Sequence, residues 1–473
     1  MLNSKQSPVH LKDIEMKQAL YISTIAAFFL IAPSCNKKLE VLPQNSATPD
    51  QIKTSADVEA LLFGGYNQLQ SYGAFGEQFM LIPDLLASQD QVDWVGTYKD
   101  YKQVKAKNIV ATNSIASSLW GNGYKVIGIC NTVLNKLSIV DSSDRKTIEG
   151  ESLFIRGTVY FELVGLFAKP YSDGQAATNP GLPLVLDPVY IYDSAKNKPS
   201  RATVAAVYAQ IIKDLQAAIA RLPSSNANYR ADLNSAKAIL SRVYLNMQDY
   251  ANAASQANDV IASGNYVLTA TYDKEFNNNV NSSEDIFAIQ QNSQSNVGTS
   301  NQGLVTFYAP NTIQPAGRGD AQINSAYVTY FEASDFRGTF VTNGTSIAGF
   351  NGTYPNKWQQ FYKAIPVVRL AEMYLTRGEA NLLSNGSVGG VNPLGDINTV
   401  RARAGASMLT TVAGSDFVNE RFRELGFEGD RFWTLKRLKL NVDGLGYDDD
   451  KLILPVPQIE IDVNKNLKQN TGY

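Results

Sequence analysis

The sequence predicts a mainly α-helical protein with a second, irregular lobe and a few short strands. Apolar residues recur at steps of three and four in several segments, which is the period of an amphipathic helix. Two such segments are joined by a very short polar turn, which makes them antiparallel neighbours. Long polar stretches rich in aromatic residues separate the helical segments. The chain has 473 residues, more than the ~250–300 at which one core stops growing, so a large domain or two fused lobes are expected.

The helical scaffold is clearest at 204–222, where an apolar stripe steps by 4, 3, 4, 3 and 4 residues. Thr203 is suited to cap the first turn, and Pro223 ends the pattern. Cys130 lies on a similar stripe, which favours a small core residue over a reactive thiol. Further helices are predicted within 119–137, 153–167, 365–384, 391–404 and 415–438.

A helical hairpin is predicted at 234–267, with the polar pair Gln248-Asp249 as its turn and Gly264 as its C-terminal cap. Its length and its small residues at the crossing are typical of a tetratricopeptide repeat. Apolar runs at 284–291 and 451–456 predict two short buried strands.

The stretches between the helices are too long for ordinary connections and too aromatic for disorder. We interpret them as an irregular lobe that covers a helical scaffold. These stretches are 71–112, 168–200, 265–283 and 290–360.

Composition excludes several classes of function. A net charge of −2 gives no basic field for a phosphate backbone, so no nucleic-acid partner is expected. The only histidine, His10, precedes a segment that the sequence predicts to be removed. A mature chain without histidine excludes Ser-His-Asp and Cys-His catalysis and zinc or haem sites that use histidine ligands.

The N-terminus is typical of a signal peptide. Residues 17–35 read KQALYISTIAAFFLIAPSC, a positive residue followed by an apolar run and small residues before a cysteine. The run is marginal for a membrane span, which needs ~20 apolar residues. We therefore predict a signal peptide over 1–34, with 1–15 as an upstream mis-start because Met16 begins a better signal.

The motif before Cys35, Ala-Pro-Ser-Cys, resembles a bacterial lipobox. This predicts that Cys35 is lipid-modified, with 35–50 as the lipidated cysteine and its polar tether. The alternative is an ordinary secretory signal with an incidental cysteine.

The C-terminal third resembles the SusD/RagB family of outer-membrane nutrient-binding lipoproteins. The last of the matching stretches, which ends in Asn470, Gly472 and Tyr473, is the most specific. A weaker similarity covers 152–167, followed by Gly-Leu-Pro-Leu at 181–184. The matching stretches are IPVVRLAEMYLTRGEA at 365–380, INTVRARA at 397–404, ERFRELGFEGDRFWTLKR at 420–437 and LPVPQIEIDVNKNLKQNTGY at 454–473.

The resemblance implies a SusD-like, tetratricopeptide-like body over 51–473. Its helical scaffold would lie mainly in 51–70, 113–167, 203–264 and 365–440, and its loop-rich ligand-binding lobe mainly in 71–112 and 265–360.

The resemblance also implies a function without catalysis. Such proteins are lipid-anchored on the outer membrane and face the cell exterior. They bind an oligosaccharide, or in some members a peptide, and deliver it to a SusC-like TonB-dependent transporter. No cofactor is implied.

A sugar-binding site needs aromatic rings for the C–H faces of the sugar and planar polar groups for its hydroxyls. The loops 89–101 and 290–303 offer both, and the family binds sugars with aromatics from about these regions. Trp120 and Trp433 are expected in the core instead. The candidate ligand-binding residues are Trp94, Tyr98, Tyr101, Asp93, Asn292, Tyr308, Arg318 and Trp358.

Two other functions remain open. Glu420, Glu424 and Glu428 follow one another at steps of four, and paired carboxylates could hydrolyse a glycosidic bond in a secreted glycoside hydrolase. We favour an ion-paired helix face, and we expect the same for Arg369 with Glu372 and for Arg377 with Glu379. The third candidate is a tetratricopeptide-type adaptor that binds a peptide.

A structural cation such as calcium is the one inorganic ligand that the sequence raises. Asp448, Asp449 and Asp450 could offer it carboxylate oxygens, but a solvated turn explains these residues better. We therefore predict no metal site.

Overall fold

A computed structural model describes residues 51–87, 90–190 and 197–473. The predicted signal peptide, Cys35 and the tether lie outside the described residues. The prediction of a mainly helical fold with a few short strands is confirmed. The main helices are α1 (Ser55–Leu69), α2 (Gln78–Ala87), α3 (Lys99–Lys105), α4 (Ser114–Asn135), α5 (Arg145–Phe167), α6 (Val204–Ile219), α7 (Leu233–Asn246), α8 (Tyr250–Ala262), α9 (Leu304–Tyr308), α10 (Leu370–Ser384), α11 (Pro393–Arg403), α12 (Gly414–Glu424), α13 (Asp430–Arg437) and α14 (Gln458–Val463).

The longer helices pack side by side in chain order from α4 to α8, and α10 then packs on α8. The predicted stripe of α6 is buried, and the Thr203 hydroxyl accepts a hydrogen bond from the backbone N–H of Ala206 at 3.2 Å. The α7–α8 hairpin is also confirmed. Gln248 at its turn and Gly264 after α8 adopt positive φ angles of 62° and 69°, which closes each helix end.

The core between these helices is close-packed. Cys130 is completely buried, and this burial raises the pKa of its thiol to about 12, so the residue is a core residue as predicted. Trp120 is buried as expected. Trp433 is partly buried and stacks on Phe161 at 5.7 Å. Its ring occupies the space where a side chain at Gly165 would begin, so α5 and α13 approach closely only because position 165 has no Cβ.

The strands within the described residues form three antiparallel pairs. They are β1 (Val92–Trp94) with β3 (Ala321–Ile323), β2 (Asp285–Ile289) with β6 (Ile365–Arg369), and β4 (Val341–Thr345) with β5 (Asn351–Pro355). In register, Trp94 lies opposite Ala321, Ile289 opposite Ile365, and Val341 opposite Pro355. The strand predicted at 284–291 is thus confirmed as β2.

Several predicted elements are wrong. The segment 365–384 is a strand followed by a helix, because 365–369 pairs with β2 before α10 begins. The segment 451–456 is a single 3₁₀ turn at Asp450–Leu452 followed by extended chain, whose Leu454 N–H donates to the carbonyl of Leu166 at 2.8 Å.

The predicted helix at 415–438 is two helices, α12 and α13. The chain turns between them at Phe427 and Gly429, which both have positive φ angles. The stretch 71–112 contains α2 and α3, and 290–360 contains α9 and three strands, so these stretches are less irregular than expected.

A cluster of buried ion pairs joins the helical C-terminal third to the segments that precede it. Glu424 is buried between Arg337, Arg369 and Arg403. Burial alone would raise the pKa of Glu424, but these three guanidinium groups hold it well below its ordinary value. Arg369 also pairs with Glu284 at 2.8 Å and Glu428 at 2.9 Å.

This cluster corrects the predicted pairings. Glu420, Glu424 and Glu428 are ion-paired as favoured. Glu420 and Glu424 are buried, however, and Glu428 is partly buried and lies in the turn after α12. Glu372 pairs with Arg242 at 2.6 Å instead of Arg369. Arg377 pairs with Asp396 at 2.6 Å, and Glu379 pairs with Arg437 at 2.6 Å.

We predict that Arg369→Met lowers the free energy of unfolding by about 3–5 kcal/mol, because it leaves buried carboxylates without their partner. The matched control is Lys465→Met, which breaks an exposed pair with Asp462 at 3.7 Å and should cost less than about 0.5 kcal/mol. Urea denaturation measures both. Equal losses of unfolding free energy in the two variants would show that the buried cluster does not stabilise the packing of these segments.

Candidate functional site

Three of the predicted site residues come together in an aromatic cluster. Trp94 ends β1, Tyr98 precedes α3, and Tyr101 lies in α3. The rings of Trp94 and Tyr101 stack with centroids 4.6 Å apart and planes 9° apart. Phe307 of α9 packs against all three at 5.0–6.2 Å. Trp94 and Tyr98 are half-buried, whereas Tyr101 and Phe307 are buried, so the first two rings form the accessible part.

Arg318 completes this surface. Its guanidinium lies 4.5 Å from the centroid of the Tyr98 ring, a cation–π contact. Its Nε bonds Asp320 at 2.7 Å, and one terminal nitrogen donates to Asn301 at 3.2 Å. Gly96 makes the arrangement possible, since a Cβ there would lie 2.5 Å from the Asp320 carboxyl carbon. We call Trp94, Tyr98 and Arg318 the aromatic surface.

Two buried carboxylates lie at the start of α2 and within it, and the first of them supports the aromatic surface through Tyr101. Glu77, just before α2, accepts hydrogen bonds from the Tyr101 hydroxyl and from the Gly303 N–H at 2.8 Å. Burial without a cationic partner raises the pKa of Glu77 to about 7.

Asp84 follows seven residues later, on the same side of α2. It accepts from the Tyr308 hydroxyl at 3.0 Å and the Gly429 N–H at 3.1 Å. Burial raises its pKa to about 7 as well.

The other predicted site residues do not join the aromatic surface. Tyr308 is completely enclosed, and Trp358 is 3% exposed with its Nε1 donating to the carbonyl of Phe427 at 2.9 Å. Neither ring offers a face to a ligand, and Tyr101 is buried as well. The sequence shows that these residues are aromatic but not which side of a loop they occupy.

Asp93 and Asn292 have local partners. Asp93 is half-buried and accepts from the Asn324 side chain at 2.9 Å. Asn292 is exposed, and its side-chain oxygen accepts from the backbone N–H groups of Gln294 and Ser295 at 2.8 and 2.9 Å. It therefore shapes the turn of its own loop.

The sequence analysis missed the β4–β5 hairpin beside the aromatic surface. The Ile347 N–H at its tip donates to the carbonyl of Arg318 at 2.8 Å. Ile347 and Phe350 both leave more than half of their side chains exposed. The residues of β4 and β5 show little alternation of apolar and polar side chains. The sequence signal for this hairpin was therefore only Phe350, an isolated phenylalanine within a polar stretch.

The arrangement offers ring faces, a fixed guanidinium and an amide within one surface. Such groups can pack on the C–H faces of a ligand and donate to its hydroxyls. No group of three or more His, Cys, Asp or Glu side chains in the described ranges is placed to hold a metal ion. Asp450 pairs with Lys169 at 2.7 Å, and the Asp449 side chain accepts from the Lys451 N–H at 2.8 Å.

The fold and this surface define a mainly helical binding protein. Two family models match it in succession: "Starch-binding associating with outer membrane" over 35–245 and "SusD family" over 242–452. The chain belongs to the SusD/RagB family, a family of carbohydrate-binding proteins.

Relatives and solved structures agree. SusD-like protein P2 of Formosa agariphila is 25% identical over 518 aligned positions, covering 96% of this chain and 99% of that protein. Starch-binding protein SusD of Bacteroides thetaiotaomicron is 32% identical over 139 positions, 26% of this chain and 23% of that protein. The crystal structure of a SusD superfamily protein from B. thetaiotaomicron superposes with a TM-score of 0.79 at 25% identity, covering 88% of this chain and 99% of that one.

Among the residues that the structure describes, no helix is both long enough and apolar enough to cross a membrane.

We predict that the support beneath the aromatic surface is sensitive to pH near neutrality. The folded-state pKa of Glu77 is about 7, above the ordinary pKa of 4.5 for a glutamate side chain. As the pH falls, Glu77 therefore takes up a proton at a higher pH in the folded protein than in the unfolded chain. Relative to Glu77→Gln, the wild type should gain about 3 kcal/mol of unfolding free energy between pH 8 and pH 4.5.

Urea denaturation of both proteins across this range measures the difference. Tyr101→Phe is a second variant: it keeps the buried carboxylate but removes a hydrogen bond that lowers its pKa, so the pH dependence should remain and increase. If unfolding free energy changes with pH in the same way for the wild type and for Glu77→Gln, the assignment of the raised pKa to Glu77 is contradicted.

Proposed function

We propose that this protein is a non-catalytic, lipid-anchored outer-membrane protein that binds an oligosaccharide at the cell surface and delivers it to a SusC-like TonB-dependent transporter. The observation that carries the proposal is the aromatic surface. The half-buried rings of Trp94 and Tyr98 both pack on Phe307, and the Arg318 guanidinium lies 4.5 Å from the Tyr98 ring centroid. The family supports it, since its first matching model is described as starch-binding and associated with the outer membrane.

Pyranose rings fit this surface for physical reasons. The C–H groups of a sugar face carry partial positive charge and pack on the electron-rich face of an aromatic ring. Arg318 uses only part of its donor set on Asp320 and Asn301, so its guanidinium can also donate to sugar hydroxyls. Both ring residues are held by Phe307 before any ligand arrives, which reduces the entropy lost on binding.

The hydrolase alternative receives less support. A glycosidase needs a pair of carboxyl groups facing a cleft, one of them able to give up a proton. Each of Glu420, Glu424 and Glu428 pairs with arginine or lysine, and nearby cations lower the pKa values of Glu424 and Glu428. Glu424 and Glu428 are therefore poor general acids, and Glu420 is buried among its arginine partners. We propose a purely binding role.

We predict that Trp94→Ala weakens binding of the cognate oligosaccharide by about tenfold or more, because it removes a pre-positioned ring. Calorimetry on the glycan selected by an array measures the change. The control is Tyr190→Ala, an exposed tyrosine that bonds Asn135 at 3.0 Å, which should bind as the wild type does. Unchanged affinity for Trp94→Ala would remove this ring from the site, and shortened glycan products after incubation with wild type would end the binding-only proposal.

We predict that Cys35→Ala moves the protein from the outer-membrane fraction to the soluble fraction, because the proposed lipid is attached to that thiol. Cell fractionation and the mass of the N-terminal peptide measure this. Cys130→Ala is the control and should stay membrane-bound, since Cys130 is a buried core residue. A membrane-bound Cys35→Ala protein would exclude lipidation as the anchor.

A further inference from the structure

A second concave surface lies between α1, the segment before α7 and the end of β2. It has a volume of about 350 Å³, within the range of ~300–1,000 Å³ that is usual for ligand sites. None of the residues of the aromatic surface lines it. We call it the α1 groove, and its lining residues are Phe63, Tyr66, Asn67, Gln70, Tyr229, Phe287, Ala288, Ile289, Gln290 and Ser295.

The groove holds two aromatic rings open to solvent. Phe63 is 37% exposed and Tyr229 is 50% exposed, and their rings meet edge to face with centroids 6.1 Å apart. The Arg230 guanidinium lies 5.3 Å from the Phe63 ring centroid, and Arg230 is itself fixed by Glu151 at 2.6 Å. Arg230 thus supports the Phe63 ring, and both rings remain exposed. An exposed pair of apolar rings is unfavourable in water unless something covers it.

Planar amides border these rings. The Gln70 side chain donates to the backbone carbonyl of Gln290 at 2.7 Å and to that of Ser295 at 3.1 Å. The Asn67 side chain donates to the Ser295 hydroxyl at 3.0 Å. Each amide is therefore held in one orientation. The Gln70 oxygen also accepts from the Ser295 hydroxyl at 3.1 Å, so this buried amide shapes the groove. The exposed Asn67 amide, with donors and an acceptor in one plane, is the one placed to meet neighbouring hydroxyls on a sugar ring.

The groove continues past Asn67, Gln70 and Ser295 into a second compartment of about 320 Å³. None of the described residues that line either compartment is charged. The nearby Arg230 is already paired with Glu59 and Glu151. A charged ligand would therefore lose its hydration there without gaining an ion pair, whereas hydroxyls would exchange water for amide partners. The further lining residues of the second compartment are Gln68, Ser71, Tyr72, Gln294, Asn296, Val297 and Gln302.

We propose that the α1 groove is a second binding site, for a neutral oligosaccharide chain. Exposed rings, oriented amides and the absence of charge among its described lining together favour a sugar over a peptide, whose termini and charged side chains would find no partner. This inference rests on glycan binding as the proposed function but not on Trp94 as its site.

The loop 292–303 connects the two surfaces. Its Ser295 lines the α1 groove, and its Asn301 accepts from Arg318 of the aromatic surface at 3.2 Å. A glycan long enough to reach both surfaces would bind the second one at a raised effective concentration. The α1 groove would then favour long chains over short ones.

Affinity electrophoresis of the full chain in gels that contain soluble starch, laminarin, mannan or xylan tests the inference. In the gel that retards the wild type, Tyr229→Ala should weaken retention about five- to tenfold. The Trp94→Ala protein should keep part of the wild-type retention, and the double variant with Trp94→Ala and Tyr229→Ala should lose all of it. Tyr190→Ala is the matched control for an exposed tyrosine. Phe63→Ala is a second groove variant, and thermal unfolding confirms that each variant is folded.

The outcomes separate the two proposals. Loss of retention in Tyr229→Ala with full retention in Trp94→Ala would support the α1 groove and overturn the aromatic surface. Wild-type retention by both Tyr229→Ala and Phe63→Ala would overturn the α1 groove. Three other results would also overturn a neutral-glycan site. They are a wild type that none of the four gels retards, retention by charged alginate that depends on Tyr229, and binding of casein peptides that depends on Tyr229.

Discussion

The buried charge cluster around Arg369 and Glu424 determines how the rest of the molecule is arranged. Arg369 ends β6, Glu424 ends α12, and Glu284 immediately precedes β2. A guanidinium donates in fixed directions within one plane, so it fixes both the direction and the distance of each carboxylate that it binds. Burying these charges costs solvation, and the dense set of partners offsets that cost. The cluster therefore sets the geometry of segments that have little regular structure of their own.

The carboxylates of α2 and its N-terminus belong to a different electrostatic environment. Glu77 and Asp84 are as deeply buried as Glu424, but they meet hydroxyls and backbone N–H groups instead of guanidinium groups. The pKa values of Glu77 and Asp84 are therefore raised, while that of Glu424 is lowered. Burial therefore favours the protonated carboxyl where only hydroxyls and N–H groups are near, and the charged carboxylate persists inside the cluster because guanidinium groups surround it.

Local patterns in the sequence predicted the elements whose structure is decided locally. The period of α6 and its Thr203 cap are properties of one segment, and both are confirmed. The strand β6 was predicted as helix because a continuous apolar run such as 365–369 fits both structures, and only pairing with the distant β2 decides between them. The break at Phe427 and Gly429 depends on the close approach of α2, since a Cβ at Gly429 would lie 3.2 Å from the Met80 Cα.

The same limit applies to the site. Composition and the family resemblance placed Trp94, Tyr98 and Arg318 among the candidates, because aromatic and planar polar groups in such loops suit a sugar. They could not show that Tyr308 is enclosed, since its burial depends on Asp84 from a distant helix. Phe63 was missed for the opposite reason: a phenylalanine inside a helix is expected to face the core, and only the fold shows that α1 turns this ring outward.

The β4–β5 hairpin is held at both ends by backbone hydrogen bonds. Asn356 N–H donates to the Phe340 carbonyl at 3.1 Å, Ser346 N–H to that of Phe350 at 2.8 Å, and Ile347 N–H to that of Arg318 at 2.8 Å. These bonds do not depend on the side chains at 347, 348 and 350, whereas the φ angle of 86° at Gly349 favours glycine there. Natural drift or laboratory evolution could therefore vary the chemistry of three positions at the tip without disturbing the body that carries it.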